Sequence, residues 1–276
     1  MTDDRPIGIF DSGFGGLTVA RAVIDVLPRE HIVYFGDTGR YPYGPRPIAQ
    51  VREFAHQVTR VLVAEHNVKA VVVACNTAAA AALGELERAS GVPIIGVIRP
   101  GAESLVDVTE NGRVGVIGTV GTIASGAYQE TIEAMAGGLI QLTCAACPGL
   151  VEFVERGEFT GDQVTVLAER LLAPVREAKV DSLLLACTHY PYLARTIGSV
   201  MGDEVVLVSS ADETAFVVLE RLTAMGLTRS SAGGAPQRRF ISSGDVTWFA
   251  DLGRRLLGPE LSGAEAHNWS SSLWSS

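Results

Sequence analysis

The sequence VVVACNTA, from Val71 to Ala78, decides the fold of this chain. A short apolar run leads, without polar alternation, into a cysteine and two small polar side chains, Asn76 and Thr77. Such runs are typical of parallel strands that are buried on both faces. We therefore predict a buried strand whose carboxyl end carries Cys75 and its polar neighbours.

A second copy of this pattern lies at LLLACTHY, from Leu183 to Tyr190. Its cysteine, Cys187, follows Cys75 at an offset of 112 residues. The apolar segments IGIF at 7–10 and VGVI at 114–117 are related by a similar offset of 107 residues. The chain is therefore predicted to be duplicated. If the two halves face each other across a cleft, the cysteines meet there as a near-symmetric pair.

Predicted strands and helices alternate along the chain, which indicates an α/β fold. We expect two pseudo-symmetric domains with mostly parallel sheets flanked by helices, and an active site in the interdomain cleft. The first domain is expected to comprise residues 1–98 and 210–258, and the second residues 99–209. Residues 259–276 are expected to form a Ser-rich C-terminal tail that is disordered at its end.

Local predictions follow for the second half of the chain. Ile98 to Gly101 are predicted to form a Pro-Gly crossing at the domain boundary, and one helix is expected from about Val120 to Met135. The segment from Cys144 to Leu150 is predicted to be a loop. Ser210 or Asp212 is a candidate cap for the helix that follows.

Composition argues against several classes of function. The formal net charge of −9 and the pI near 5.1 do not suit a nucleic-acid-binding surface, which needs a basic stripe. No apolar run approaches the roughly 18 residues of a membrane span. The acidic start, MTDDRPIG, is unlike a basic signal peptide, so we expect a cytoplasmic protein whose cysteines are free thiols. We also expect a homodimer that binds a small-molecule substrate.

Two opposed thiols suit disulfide exchange, metal binding or proton transfer. A lone cysteine in an apolar run is usually a small buried side chain, but two at equivalent strand ends suit paired thiolates of low pKa. Disulfide exchange usually uses one Cys-x-x-Cys turn, whereas these cysteines lie on different repeats. Cys75, Cys187 and His189 could supply three metal ligands. The other polar residues at both strand ends are Asn and Thr, which are poor ligands for soft metals, so no metal is expected. Two-base proton transfer at a carbon atom fits best.

The position of the lysines argues against pyridoxal phosphate, which needs a lysine Schiff base. Lys69 and Lys179 are the only two lysines of the chain. At about 3.3 Å per strand residue, Lys69 is expected roughly 20 Å from Cys75, and Lys179 roughly 26 Å from Cys187. No cofactor is therefore expected. Helix N-termini at residues 77 and 188 are predicted instead to stabilise the negative charge that develops on the substrate when its proton is removed.

Six motifs occur in a fixed order: IGIFDSGFGGLTV, YFGDTGRYPYG, VVVACNTA, VGVIGT, CPGLVEFVERG and LLLACTHYPYL. Together they resemble the aspartate/glutamate racemase family, and in particular its cofactor-independent glutamate racemases, over residues 7 to about 257. The resemblance implies two α/β domains and the interconversion of L- and D-glutamate, with D-glutamate supplied for peptidoglycan. The RSSAGGAPQRR loop and the Ser-rich tail depart from the family pattern without touching a motif.

The resemblance also implies roles for individual residues. Cys75 and Cys187 would be the catalytic acid/base thiols, with Asp11 and His189 tuning them. The residues expected to hold the substrate are Asp11, Ser12, Tyr43, Gly44, Asn76, Thr77, Thr188 and His189. Asp37 and Glu155 match two further acidic positions whose roles the sequence leaves open.

Other interpretations stay open at the level of sequence. Asp11 could simply be a turn residue, His189 a hydrogen-bonded histidine of the core, and Tyr43 a residue that only packs. Cys144 and Cys147 are interpreted as structural. The substrate could be aspartate or a hydantoin instead of glutamate. A two-lobed amino-acid-binding protein is a further alternative, against which the strand-end thiols and the acidic start of the chain count.

Overall fold

The computed structural model describes residues 2–230 and 233–269, which contain two parallel sheets. The strands of the first sheet are β1 (Ile7–Asp11), β2 (Ile32–Gly36), β3 (Ala70–Val73), β4 (Ile94–Gly96), β9 (Arg238–Ser242) and β10 (Glu265–Ala266). They lie in the order β10-β9-β2-β1-β3-β4.

The second sheet contains β5 (Arg113–Gly118), β6 (Gln141–Ala146), β7 (Ser182–Ala186) and β8 (Val206–Val208), in the order β6-β5-β7-β8. Strands β1 to β4 and strands β5 to β8 are therefore arranged alike, each set with its first strand between its second and third. This is the arrangement that the duplicated motifs predict.

Helices join the strands: α1 (Leu17–Val26), α2 (Ile48–Ala64), α3 (Asn76–Ala89), α4 (Ile98–Val108), α5 (Val120–Ala124), α6 (Ala127–Ala136), α7 (Leu150–Arg156), α8 (Asp162–Glu177), α9 (Ala194–Met201), α10 (Ser210–Ala224) and α11 (Val246–Leu257), with a 3-10 helix at Tyr190–Leu193. Within residues 2–230 and 233–269, none of these helices has the length and apolar character needed to cross a membrane.

The two sheets share part of their hydrophobic core. Successive side chains of a strand point to opposite faces of its sheet. In β7, Leu184 and Ala186 belong to the core that also covers the first sheet, whereas Leu183 and Leu185 belong to a separate core on the other face. Helix α10 contacts both β4 of the first sheet and β7 of the second, and so links the two halves.

Strand register brings the motifs to one edge of each sheet. Phe10 pairs with Val73, so the residues that follow β1 and β3 emerge together at the carboxyl edge of the first sheet. Gly118 pairs with Ala186, which places Thr119 beside Cys187 at the equivalent edge of the second sheet.

The predicted Pro-Gly crossing at Ile98 to Gly101 is wrong, because these residues form the first turn of α4. Proline is tolerated in a first turn, since the amide hydrogen that it lacks would have no acceptor within the helix. A proline followed by glycine therefore marked the start of a helix and not a break between elements.

Three further local predictions are wrong. Gly126, at φ 74°, divides the helix expected over 120–135 into α5 and α6, because glycine adopts this left-handed conformation without steric cost. Strand β6 extends to Ala146, so Cys144 lies in a strand. The cap of α10 is Ser209, whose hydroxyl accepts a hydrogen bond from the Ala211 amide at 3.3 Å.

The C-terminal segment forms more structure than expected. Glu265 and Ala266 make β10, which pairs in parallel with β9. Trp269 packs against the core of the first sheet. The disorder predicted for the end of the tail concerns residues 270–276, which lie outside the described residues.

Candidate active site

A cavity that is partly open to solvent lies where the carboxyl edges of the two sheets face each other. Among the residues that line it are nine of the sequence-predicted site residues: Ser12, Tyr43, Gly44, Cys75, Asn76, Thr77, Cys187, Thr188 and His189. Both cysteines therefore face one space, each from the end of a strand in a different sheet. Asp11 is fully buried and lies outside the cavity lining.

Cys75 follows β3 and caps the amino end of α3. Its thiol lies 3.8 Å from the Ser12 hydroxyl, to which it donates. Burial, and then the charge of Asp11, raises the pKa of Cys75 to about 12, although hydrogen bonds with Ala78 and Ser12 oppose the shift. The expectation of a low-pKa thiolate is therefore wrong for Cys75.

Asp11 connects the glycine-rich turn after β1 to the second half of the molecule. Its Oδ2 accepts a hydrogen bond from the Gly13 amide at 2.9 Å. Its Oδ1 accepts one from the Thr188 hydroxyl at 3.3 Å. The carboxylate thus holds both strand ends together while its charge disfavours a thiolate at Cys75.

Cys187 lies beside a chain of titratable groups. Its sulfur is 3.9 Å from His189 Nδ1, and His189 Nε2 is 3.5 Å from Glu155 Oε1. Burial acts to lower the pKa of His189, but the hydrogen bond with Cys187 and the nearby carboxylate of Glu155 outweigh burial and raise the pKa to about 10. A protonated imidazole therefore stands next to Cys187 at neutral pH.

The helix N-terminus predicted at Thr188 is wrong. The residues after Cys187 form a short 3-10 helix that begins only at Tyr190. Dipole stabilisation of charge by a long helix is therefore confined to the Cys75 side, where α3 begins at Asn76.

Asn76 presents a hydrogen-bond donor for a ligand. The Tyr128 hydroxyl donates to Asn76 Oδ1 at 2.6 Å and so fixes the side-chain amide. The Nδ2 atom of Asn76 is buried and has no hydrogen-bond partner among the described residues. An unpaired buried donor costs about 1–3 kcal/mol, which a bound acceptor would recover.

Threonine hydroxyls join the two halves at the cavity wall. The Thr77 hydroxyl lies 2.9 Å from that of Thr119 and 3.2 Å from that of Thr122. Beside them, the Gly121 amide donates to the Gly44 carbonyl at 3.0 Å. A Cβ atom at Gly44 would lie 2.9 Å from Thr119 Cβ, so glycine is needed for this close approach.

Asp37 positions Tyr43. The Tyr43 hydroxyl donates to Asp37 Oδ2, which also accepts from Arg40 Nε at 2.7 Å. Burial, and then the charge of Asp37, raises the pKa of Tyr43 well above its usual value, so this phenol stays a neutral donor. Asp37, whose role the sequence left open, therefore supports a residue of the cavity wall from behind.

Several lining residues were missed by sequence reasoning, among them Tyr41, Thr119, Cys147 and Glu152. Thr119 had a signal, because VGVIGT repeats IGIFDS and places this hydroxyl where Ser12 lies in the first half. Cys147 was expected to be structural, yet it lines the cavity. Tyr41 lies in an irregular loop, with its ring centroid 6.2 Å from that of His189, and no pattern predicts that approach.

Comparison with known proteins identifies the family. The model of the Asp/Glu/Hydantoin racemase family matches residues 17–215, more than half of the chain. The chain belongs to the Asp/Glu/Hydantoin racemase family. It is accordingly an isomerase. Relatives include the glutamate racemase of Beutenbergia cavernae, 51% identical over 94% of this chain and 91% of that one, and that of Corynebacterium glutamicum, 50% identical over 94% of each.

Solved structures of racemases resemble the fold of this family member. Glutamate racemase isoform RacE1 from Bacillus anthracis matches with a TM-score of 0.89 and 40% identity, over 96% of this chain and 97% of that one. Glutamate racemase from Francisella tularensis in complex with D-glutamate matches with a TM-score of 0.89 and 33% identity, over 96% and 98%. The α/β fold with two parallel sheets is thus the fold of these racemases.

Proposed function

We propose that this racemase-family chain interconverts L- and D-glutamate by two-base proton transfer at the α-carbon. One observation carries the proposal: Cys75 and Cys187 line the same cavity from the strand ends of two different sheets. The choice of glutamate is supported by the names of the relatives, which are glutamate racemases, and by the D-glutamate in the Francisella tularensis complex.

In the proposed reaction, one cysteine acts as a thiolate and removes the α-proton from one face of the substrate. The other cysteine, as a thiol, gives its proton to the opposite face. Two groups are needed because a single base on one side would return the proton to the face it left. The roles exchange when the other enantiomer is the substrate.

The surroundings of the two cysteines support different starting states. A pKa of about 12 keeps Cys75 protonated at neutral pH, ready to donate. Cys187 instead lies beside the imidazolium of His189, which Glu155 in turn favours. With Cys75 as the proton donor, Cys187 is proposed as the base for the enantiomer whose α-hydrogen points toward Cys187.

Polar groups of the cavity wall would hold the substrate and stabilise the charge that develops on its α-carboxylate. The partnerless Nδ2 of Asn76 and the amides at the start of α3 are preorganised donors on the Cys75 side. Further contacts are proposed for Ser12, Tyr43, Gly44, Thr77, Thr188 and His189, all of which line the cavity. Asp11 is proposed to tune the thiols from outside the cavity.

A racemisation assay in deuterated water tests this proposal. Circular dichroism should show loss of optical activity from either enantiomer of glutamate without added cofactor. Deuterium should appear mainly in the product enantiomer, because different thiols serve the two directions. Unlabelled product from both directions would contradict the two-base scheme, and activity on aspartate alone would reassign the substrate.

Cysteine variants test the assignment of the bases. Cys75→Ala and Cys187→Ala should each lower racemisation by about 10²–10⁴-fold, the usual contribution of a general acid or base. Cys144→Ala is the matched control, because Cys144 is a half-buried thiol in β6 that does not line the cavity. Full activity in either of the first two variants would move the catalytic bases elsewhere.

We also propose that residues 1–98 with 210–258, and residues 99–209, are two domains that close on the substrate, followed by the tail at 259–276. The repeated strand order supports this division. A cytoplasmic homodimer that supplies D-glutamate for peptidoglycan completes the proposal. Light scattering of the purified protein tests the dimer, and growth of a D-glutamate auxotroph carrying this chain tests the supply.

A further inference from the structure

The C-terminal segment from residue 264 to residue 269 docks onto the first sheet. Strand β10 pairs with β9, and the His267 amide donates to the Ser242 carbonyl at 2.8 Å. Arg239 forms an ion pair with Glu265 at 2.6 Å. These contacts carry the chain to the carboxyl edge of the sheet, where the cavity lies, and leave Trp269 there.

Trp269 contacts the group that holds Tyr43. Its indole Nε1 donates to Asp37 Oδ1 at 2.9 Å. Asp37 is fully buried, so the oxygens of its carboxylate depend on protein donors. Trp269 is therefore one of the donors that fix this carboxylate.

The carboxylate of Asp37 transmits this contact to the cavity wall. Trp269 and Ser243, the latter at 2.6 Å, both donate to Oδ1, whereas Tyr43 and Arg40 donate to Oδ2. Because a carboxylate is planar, fixing Oδ1 also fixes the direction of Oδ2. The position of the Tyr43 hydroxyl thus depends on donors at the opposite oxygen.

Stacked side chains make a second connection between the same residues. The Arg40 guanidinium lies 3.8 Å from the ring centroid of Trp269 and 4.1 Å from that of Phe54. The Phe54 ring centroid is in turn 5.5 Å from that of Tyr43. Loss of the indole would therefore loosen Tyr43 through packing as well as through Asp37.

From these contacts we propose that Trp269 is a positioning residue that places Tyr43 in the wall of the substrate cavity. The inference rests on the proposed glutamate racemase activity. Trp269 does not line the cavity, so it does not contact the substrate itself. It affects substrate binding through Tyr43 and leaves the proton-transfer groups, Cys75 and Cys187, unchanged.

Trp269→Phe tests the hydrogen bond, because phenylalanine keeps an aromatic ring beside Arg40 but lacks the N–H donor. KM for glutamate should rise about threefold or more, while kcat stays within about twofold, since a hydrogen bond to a charged group is among the stronger ones. Glu265→Gln is the matched control. It breaks the exposed ion pair with Arg239, a contact of the same segment that leaves Asp37 untouched, so KM should not change.

A double-variant cycle separates positioning from general loosening of the fold. Tyr43→Phe removes the hydroxyl through which Trp269 acts, so adding Trp269→Phe should raise KM no further. The same rise in both backgrounds, or an unchanged KM in Trp269→Phe alone, would overturn the inference while the racemase proposal stands. A wild-type chain that does not racemise glutamate would instead overturn the proposed function and this inference with it.

Discussion

The two halves of the molecule place a cysteine at the same position but surround it differently. Cys75 stands at the start of α3, beside a hydroxyl and near the carboxylate of Asp11. Cys187 stands beside a protonated histidine that contacts Glu155. The repeated motif thus places two thiols at matching strand ends, while different neighbouring residues give them different electrostatic environments.

This difference shows how a symmetric reaction can use an asymmetric site. Two-base proton transfer starts with one base deprotonated and the other protonated. The raised pKa of Cys75 makes it the protonated member of this pair, and the proposal assigns the other role to Cys187, which lies beside the imidazolium of His189.

Among substitutions that change the surroundings of only one of the two cysteines, Gly15→Ala is expected to cause the largest loss of activity. A Cβ atom at Gly15 would lie 2.3 Å from the Thr188 hydroxyl and 2.4 Å from His189 Nδ1, so both side chains must move. Displacement of about 1 Å at a reacting centre can cost about 10²-fold, and we expect a loss of that size in kcat/KM.

Gly84→Ala is the control for that substitution, because Gly84 lies on the exposed side of α3 with an Arg88 Nη1 at 3.5 Å as its nearest neighbour. It should leave kcat/KM unchanged and raise the melting temperature slightly, since alanine is the better helix former. Normal kinetics in Gly15→Ala would mean that His189 need not stay beside Cys187.

The next effect concerns His189→Asn, which removes the positive neighbour of Cys187. Alkylation of Cys187 by iodoacetamide at pH 7 should become several-fold slower, because a positively charged neighbour favours the negatively charged sulfur that attacks the reagent. The difference between the two proteins should disappear at high pH, where the thiol is ionised with or without a neighbouring imidazolium.

Mass spectrometry of each cysteine peptide measures both thiols in one sample. Cys75 is the internal control, and its alkylation rate should change by less than about twofold. Equal slowing of both cysteines would indicate a general change in the cavity and would remove the proposed pairing of His189 with Cys187.

A smaller effect of opposite sign is expected from Asp11→Asn. Asp11 contributes to the raised pKa of Cys75, after burial, so neutralising it should lower that pKa from about 12. The thiolate fraction at pH 8 then increases, and alkylation of Cys75 should become several-fold faster even though racemisation falls. Asp25→Asn, at an exposed carboxylate of α1, is the control. Slower alkylation of Cys75 would reverse the assigned role of Asp11.

Much of this comparison could be predicted from the sequence, and the part that could not has physical causes. Apolar runs that end in Ala-Cys identify strand ends, so the motifs located Cys75 and Cys187 correctly. The environments depend on contacts distant in sequence, such as Thr188 with Asp11 or His189 with Glu155, which no periodicity encodes. The role of Trp269 could not be predicted for the same reason, since its contact with Asp37 joins residues 232 positions apart.

The smallest effect on turnover is expected at the far ends of the same two strands, where Lys69 and Lys179 lie. Lys179→Arg should leave kcat within about twofold, because the lysine precedes β7 whereas Cys187 follows it, so the whole strand separates the two residues. The purified protein should show no pyridoxal absorbance. A large loss of kcat in Lys179→Arg would contradict the cofactor-independent scheme.

Lys69→Arg should also preserve the turnover of the folded protein, but the structure adds a cost in stability that the sequence did not reveal. Lys69 is fully buried, with its Nζ 2.5 Å from Glu30 Oε2 and 2.8 Å from the Asp3 carbonyl. A planar guanidinium does not fit the place of a compact ammonium, and forcing a larger side chain into a packed site costs about 1–3 kcal/mol. The melting temperature should therefore fall by several degrees in Lys69→Arg and stay constant in Lys179→Arg, while the alkylation rates of both cysteines remain those of the wild type.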